Sequence, residues 1–296
     1  MTDDILIDIL KVYVMEAKLP RPATSFDDLK SIFYYDQKLP LDIEEAGIED
    51  KDGISIHDIS YAGSEDRRVK AYLVMPPGMG PFAGIIFVHP GPGSRSTFLD
   101  EAAELAGMGA ASLLIDAPWS DAAAFGKRAM AGPEAVRDMI IETSIDLRRA
   151  VDLLSSMPAV DKSRIAYVGH SYGALFGGVL SGIDKRIKAY VLMAGTGSFT
   201  DVAVLNMPGL KGPELERYSA IMDPVDPIHY IGHAAPSALF FQFGLQDKFF
   251  PRQHFLDYYQ AGSEPKSIKW YEADHYRLNE EGRHDRVEWL RAEIGL

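Results

Sequence analysis

The rhythm of apolar and polar positions changes from segment to segment along this chain. Residues 4–18 read as a helix, closed by Pro20 and Pro22. Residues 23–50 are acidic, carry the aromatic triplet Phe33-Tyr34-Tyr35 and break at Leu39-Pro40. They read as an extension lying on a domain that starts later. From Ile54 the pattern turns to strands. Residues 54–61 and 68–75 flank the turn-forming stretch 62–66 and predict a hairpin. Residues 84–89 are a continuous apolar run, as a strand buried on both faces requires. A helix over 96–109 and a strand over 111–116 follow. Pro133 suits the first position of a helix running to about Ser156. Then come a strand up to Gly169, a helix after Ser171, and strands over 187–193, 237–243 and 267–271. A helix over 285–294 closes the chain. Strands alternating with helices predict an α/β fold. It is a doubly wound, mostly parallel sheet with helices on both faces, an antiparallel start and an N-terminal helical extension. The expected division is 1–53 for the extension and 54–296 for the main domain.

Composition narrows what such a domain can do. With 296 residues, 47% of them hydrophobic, the chain can bury a large core within one α/β domain. A formal net charge of -13 argues against nucleic acid and anionic membrane surfaces as partners, since both need basic patches. The absence of cysteine excludes disulfides, cysteine nucleophiles and thiolate metal sites. The start of the chain, Met1-Thr-Asp-Asp, is acidic and lacks the layout of a secretory signal. No apolar run approaches the ~20 residues of a membrane span. The expectation is a soluble, cytoplasmic protein.

The densest chemistry lies at Gly169-His170-Ser171-Tyr172-Gly173, a G-x-S-x-G sequence between a strand and a helix. A serine is a weak nucleophile unless its oxygen is exposed and within reach of a base. A sharp strand-to-helix turn lifts the hydroxyl out of the backbone and aims the first helical N–H groups at a developing oxyanion. Gly169 and Gly173 then allow strand and helix to close tightly. The base should sit at the same sheet edge. His275 follows the last strand, in a loop where nothing structural demands an imidazole, and Asp247 follows the preceding strand as orienter. Asp274 is the rival to Asp247, although its adjacency to His275 makes the side-chain geometry awkward. Glu272 reads as strand-end surface.

An oxyanion hole needs two donors. One is the backbone N–H of Tyr172. The other comes from the loop His89-Pro-Gly-Pro-Gly93, where neither Pro90 nor Pro92 has an N–H to give. Gly91 and Gly93 remain, and Gly91 is nearer the strand end. His89 reads as shaping this loop by hydrogen bonding, and His170 as packing under the sheet. His57, His229, His233, His254 and His284 read as structural or surface residues. No H-E-x-x-H and no Cys/His ligand spacing occurs, and the G-x-G stretches lie in the wrong context for a dinucleotide. No metal and no cofactor is expected.

These residues resemble the α/β-hydrolase superfamily. The likeness is greatest to the branch of dienelactone hydrolases, acetyl xylan esterases and the catalytic domains of prolyl oligopeptidase-type peptidases. It rests on residues 146–154, on 160–173 through the serine turn, on His89-Pro-Gly-Pro-Gly93 and on Gly244-Leu-Gln-Asp247. It runs from about Ile54 to the C-terminus. The order Ser171, Asp247, His275 is that of the superfamily. Pro90 departs from it, standing where a glycine usually follows the histidine. A serine nucleophile departs from the cysteine of dienelactone hydrolases, so their substrate does not transfer. The resemblance implies a serine hydrolase of carboxylic esters acting on small molecules. A compact peptidase or amidase is the alternative, and a binding protein on the same scaffold a third reading. Two inserts border the site. Trp119, Phe125 and Met130 in the first, and Phe199, Leu205, Met207 and Tyr218 in the second, suggest an apolar pocket. The triplet at 33–35 is expected either to cover part of the pocket mouth or to support a homodimer contact.

Overall fold

The computed structural model describes residues 25–276 and 279–296. The helix expected over 4–18 lies outside them. The described chain runs α1 (Phe26–Ser31), β1 (Glu44–Lys51), β2 (Ile54–Ala62), β3 (Arg68–Met75), β4 (Phe82–Val88), α2 (Leu99–Ala106), β5 (Ala110–Ile115), α3 (Ala122–Met130) and α4 (Pro133–Ser156). It continues through β6 (Val160–His170), α5 (Tyr172–Ile183), β7 (Ile187–Met193), α6 (Phe199–Asn206), α7 (Gly212–Met222), β8 (Ala238–Gly244), α8 (Arg252–Ala261), β9 (Lys266–Tyr271) and α9 (Glu280–Ile294). Short 3₁₀ turns fill parts of the connections.

All nine strands form one sheet, in the order β1-β2-β3-β5-β4-β6-β7-β8-β9. The pairs up to β3–β5 are antiparallel and the rest parallel. Every residue of β4, β5 and β8 is buried, which explains their unbroken apolar sequences. On one face, Ile140, Leu147 and Val151 of α4 and Leu175 and Val179 of α5 fill the core. On the other, Ala102 and Leu105 of α2 meet Val287 and Leu290 of α9. Pro133 opens α4 at its first turn. Gly295 closes α9 in the left-handed conformation that glycine adopts without steric cost.

Two expectations about the N-terminal part need correction. The sheet begins at Glu44, so the boundary expected at residue 54 falls within a β1–β2 hairpin. β1 reads Glu-Glu-Ala-Gly-Ile-Glu-Asp-Lys and every residue of it is exposed. An edge strand whose side chains all stay outside the core leaves no apolar alternation to detect. The aromatic triplet also lies elsewhere than over the pocket mouth. Phe33 is fully buried and meets the Tyr230 ring edge-on at 5.5 Å. The Tyr35 hydroxyl donates to Asp152 at 2.9 Å, and the Arg148 guanidinium sits over its ring. Arg148 also donates to the Phe33 carbonyl at 3.0 Å, and Asp184 and Arg186, just before β7, complete the cluster. That is the end of the sheet opposite the C-terminal edge of β6, where Ser171 sits. Tyr34 remains 80% exposed.

Candidate active site

Ser171 stands between β6 and α5 with φ +53° and ψ -113°, an unfavourable conformation for a residue with a Cβ. Its N–H donates to the Met193 carbonyl at 2.8 Å, tying the turn to the end of β7. The flanking glycines have direct steric causes. A Cβ on Gly169 would overlap the Gly173 carbonyl, and a Cβ on Gly173 would overlap the carbonyl of Val88 at the end of β4.

Loops from three strand ends bring the expected residues together. His275 Nε2 lies 2.9 Å from Ser171 Oγ, and His275 Nδ1 lies 2.6 Å from Asp247 Oδ2. An ionised carboxylate only accepts, so Nδ1 carries the proton and Nε2 is the acceptor facing the serine hydroxyl. Ser171 is 7% and His275 3% exposed. The second Asp247 oxygen accepts the Phe249 N–H at 2.8 Å, which fixes the carboxylate. Phe249, Phe250 and Tyr276 surround the imidazole ring. The rival Asp274 instead accepts the Tyr276 N–H at 3.0 Å, and Glu272 accepts from Gln246 at 3.2 Å.

A link that the sequence did not suggest joins the turn to the base. His170 Nε2 lies 2.7 Å from the His275 carbonyl oxygen. A carbonyl only accepts, so His170 donates from Nε2 and fixes the main chain of the residue whose side chain Asp247 holds. Burial, and next the nearby His275, push the His170 pKa down to about 4. His170 and Pro90 border a cavity of about 290 Å³ whose walls include Phe98, Met193, Tyr276 and Arg286. Arg286 there makes a buried two-pronged ion pair with Glu101 that joins α9 to α2. Partners this far apart in sequence leave no local signal.

The Gly91 loop lies against the start of α5. A Cβ on Gly91 would stand 3.3 Å from Tyr172 Cδ2 and 3.5 Å from Trp119 Cδ1. Gly93 instead faces inward, toward the Pro90 carbonyl and His89. Beside them, Trp119 stacks on Tyr172 at 4.9 Å and on Phe176 at 5.3 Å. Phe199 meets Phe176 edge-on, and Phe125 meets Tyr172 likewise. Met130 does not join this wall. It ends α3, a helix with no fully buried residue, and is 84% exposed. Leu205 and Met207 are also exposed, whereas Tyr218 is buried.

Among the described residues, no group of His, Asp or Glu has the arrangement of a metal site. No helix among them is long and apolar enough to cross a membrane. The arrangement is suited to taking a proton from the Ser171 hydroxyl as that oxygen attacks an electrophile.

No family model matches the sequence, and no curated protein matches it either. Solved structures do. An acetyl xylan esterase from Paenibacillus sp. R4 superposes with a TM-score of 0.75 over 99% of this chain and 100% of its own, at 19% identity. Acetyl xylan esterase 1 from Thermoanaerobacterium sp. JW/SL YS485 gives 0.76 over 97% and 99%, at 16% identity. A cold-adapted esterase from an Arctic intertidal metagenomic library gives 0.60 over 85% and 99%, at 17% identity. At these identities the likeness defines the fold, and it is the α/β-hydrolase fold.

Proposed function

We propose that this protein is a serine hydrolase that cleaves carboxylic esters of small molecules. The observation that carries the reading is the continuous relay from Ser171 Oγ through His275 to Asp247. Ser171 Oγ attacks the ester carbonyl carbon while His275 Nε2 takes the hydroxyl proton. The carbonyl oxygen becomes an oxyanion held by the N–H groups of Tyr172 and Gly91. His275 then gives its proton to the departing alcohol, leaving an acyl group on Ser171. A water molecule, deprotonated by His275, attacks that acyl group and releases the acid. Asp247 fixes the tautomer of the neutral imidazole and stabilises the imidazolium that forms between the proton transfers.

The reading places a short acyl group against the stacked wall of Trp119, Tyr172 and Phe176 beside Gly91. The acetyl esterases among the similar structures agree with that size. The test is labelling with a fluorophosphonate probe, with the modified peptide mapped by mass spectrometry, beside hydrolysis of an acetyl ester and the matching amide. Labelling confined to Ser171, and an ester rate that falls at least ~10⁴-fold in Ser171→Ala, are expected. An active Ser171→Ala protein would refute the reading. A faster amide than ester would move the substrate class to peptides or amides.

A further inference from the structure

The Pro90 carbonyl sits at the junction of two donors. His89 Nδ1 lies 2.8 Å from it, and the Trp119 indole Nε1 lies 3.1 Å from it. The direction of each bond follows from a third contact. The Ala117 N–H points at His89 Nε2 at 3.2 Å. A backbone N–H only donates, so Nε2 is the unprotonated nitrogen and Nδ1 carries the hydrogen. Burial lowers the His89 pKa, which favours this neutral form. Nδ1–H therefore donates to the Pro90 oxygen. It cannot accept from Trp119, although the two nitrogens are 3.1 Å apart. The indole N–H is left with the same Pro90 oxygen. Two donors from separate segments hold one carbonyl.

That carbonyl shares a rigid plane with the Gly91 N–H. The Pro90–Gly91 bond is not among the cis peptides, and in a trans peptide C=O and N–H point in opposite directions. Pinning the oxygen toward His89 and Trp119 thus aims the Gly91 N–H the other way. Among the described residues, that N–H has no hydrogen-bond acceptor. A Cβ on Gly93 would instead fall on the pinned side, 2.7 Å from the Pro90 oxygen and 2.9 Å from His89 Nδ1.

We infer that Trp119 is a positioning residue for the oxyanion hole, acting with His89 through the Pro90 carbonyl. Its indole N–H orients the Gly91 donor, a task separate from the apolar wall that its ring provides. Trp119 is 5% exposed, so no solvent molecule stands in for the lost donor at low cost. The inference rests on the serine-hydrolase reading and adds to it the origin of the second oxyanion donor.

The test is Trp119→Phe, which keeps an aromatic ring in the stack and removes the N–H. Benzothienylalanine at the same position, with sulfur replacing N–H in an indole-shaped ring, controls for packing. The readouts are kcat and KM on p-nitrophenyl acetate, inhibition by a trifluoromethyl ketone whose serine adduct carries an oxyanion, and the melting curve. Removing an oxyanion donor outright costs ~10²–10³ in kcat, so misaiming one should cost ~10-fold or more. Both variants should lose that factor in kcat and in ketone affinity, with KM within about twofold. A merely structural tryptophan would lower the melting temperature and leave ketone affinity and kcat within about twofold, which overturns the inference. An active Ser171→Ala protein would instead remove the reading beneath it. An inactive one beside unaffected Trp119 variants sinks this inference alone.

Discussion

His170 allows a prediction whose size follows from its surroundings. In the unfolded chain its imidazole binds a proton below pH ~6.5. In the folded protein it stays neutral until about pH 4. Burial is the main cause, the neighbouring His275 and Arg286 charges add to it, and the His275 carbonyl and Asp247 oppose it. Between those values the unfolded state holds a proton that the folded state does not. Stability therefore falls as pH drops through ~6.5 and stops falling below about 4. At about 1.4 kcal/mol per pH unit, the full span bounds the effect at roughly 3 kcal/mol. At pH ~4.5 the loss should be roughly 2–3 kcal/mol relative to pH ~7.5. His170→Gln removes the titration and keeps an N–H for the His275 carbonyl. Urea unfolding followed by circular dichroism, for both proteins at both pH values, isolates the contribution as a difference of differences. Titrating groups that do not interact with His170 cancel. Wild type should lose roughly 2–3 kcal/mol more than the variant on acidification. Equal losses in the two proteins would refute a histidine held neutral by burial at this position.

Two further outcomes follow from the turn and the relay. Asp247→Asn keeps the volume and removes the acceptor that fixes the His275 tautomer, so kcat should fall by ~10⁴ with an unchanged circular dichroism spectrum. A loss below tenfold in steady-state ester hydrolysis would exclude Asp247 as orienter. Gly173→Ala places a methyl on the Val88 carbonyl, where backbone faces backbone and neither can yield alone. It should cost about 3 kcal/mol or more. Chemical denaturation would reveal an unchanged midpoint if that contact were imaginary.

The central elements were legible because their causes are local. β4, β5 and β8 are buried on both faces, and their apolar runs say so without reference to the rest of the chain. The serine turn is legible for the same reason, since both of its glycines answer to steric contacts that any chain passing through this turn must make. Strand ends in a parallel sheet share one edge, so the loop positions of Asp247 and His275 already placed them near Ser171. β1 was illegible because it contributes backbone and no side chains to the core.

What tertiary structure alone decided are contacts between segments with no fixed spacing. Phe33 and Tyr34 are neighbours in an aromatic run, yet one is fully buried against Tyr230 and the other is 80% exposed. Trp119 and Met130 both looked like pocket residues, but only the first turns inward, where a ring stack and a carbonyl await it. The Glu101–Arg286 pair and the His170–His275 bond belong to the same class. Periodicity records which side of an element meets the core. It carries no information on which distant partner will be there, because that depends on how the sheet twists and its crossings close.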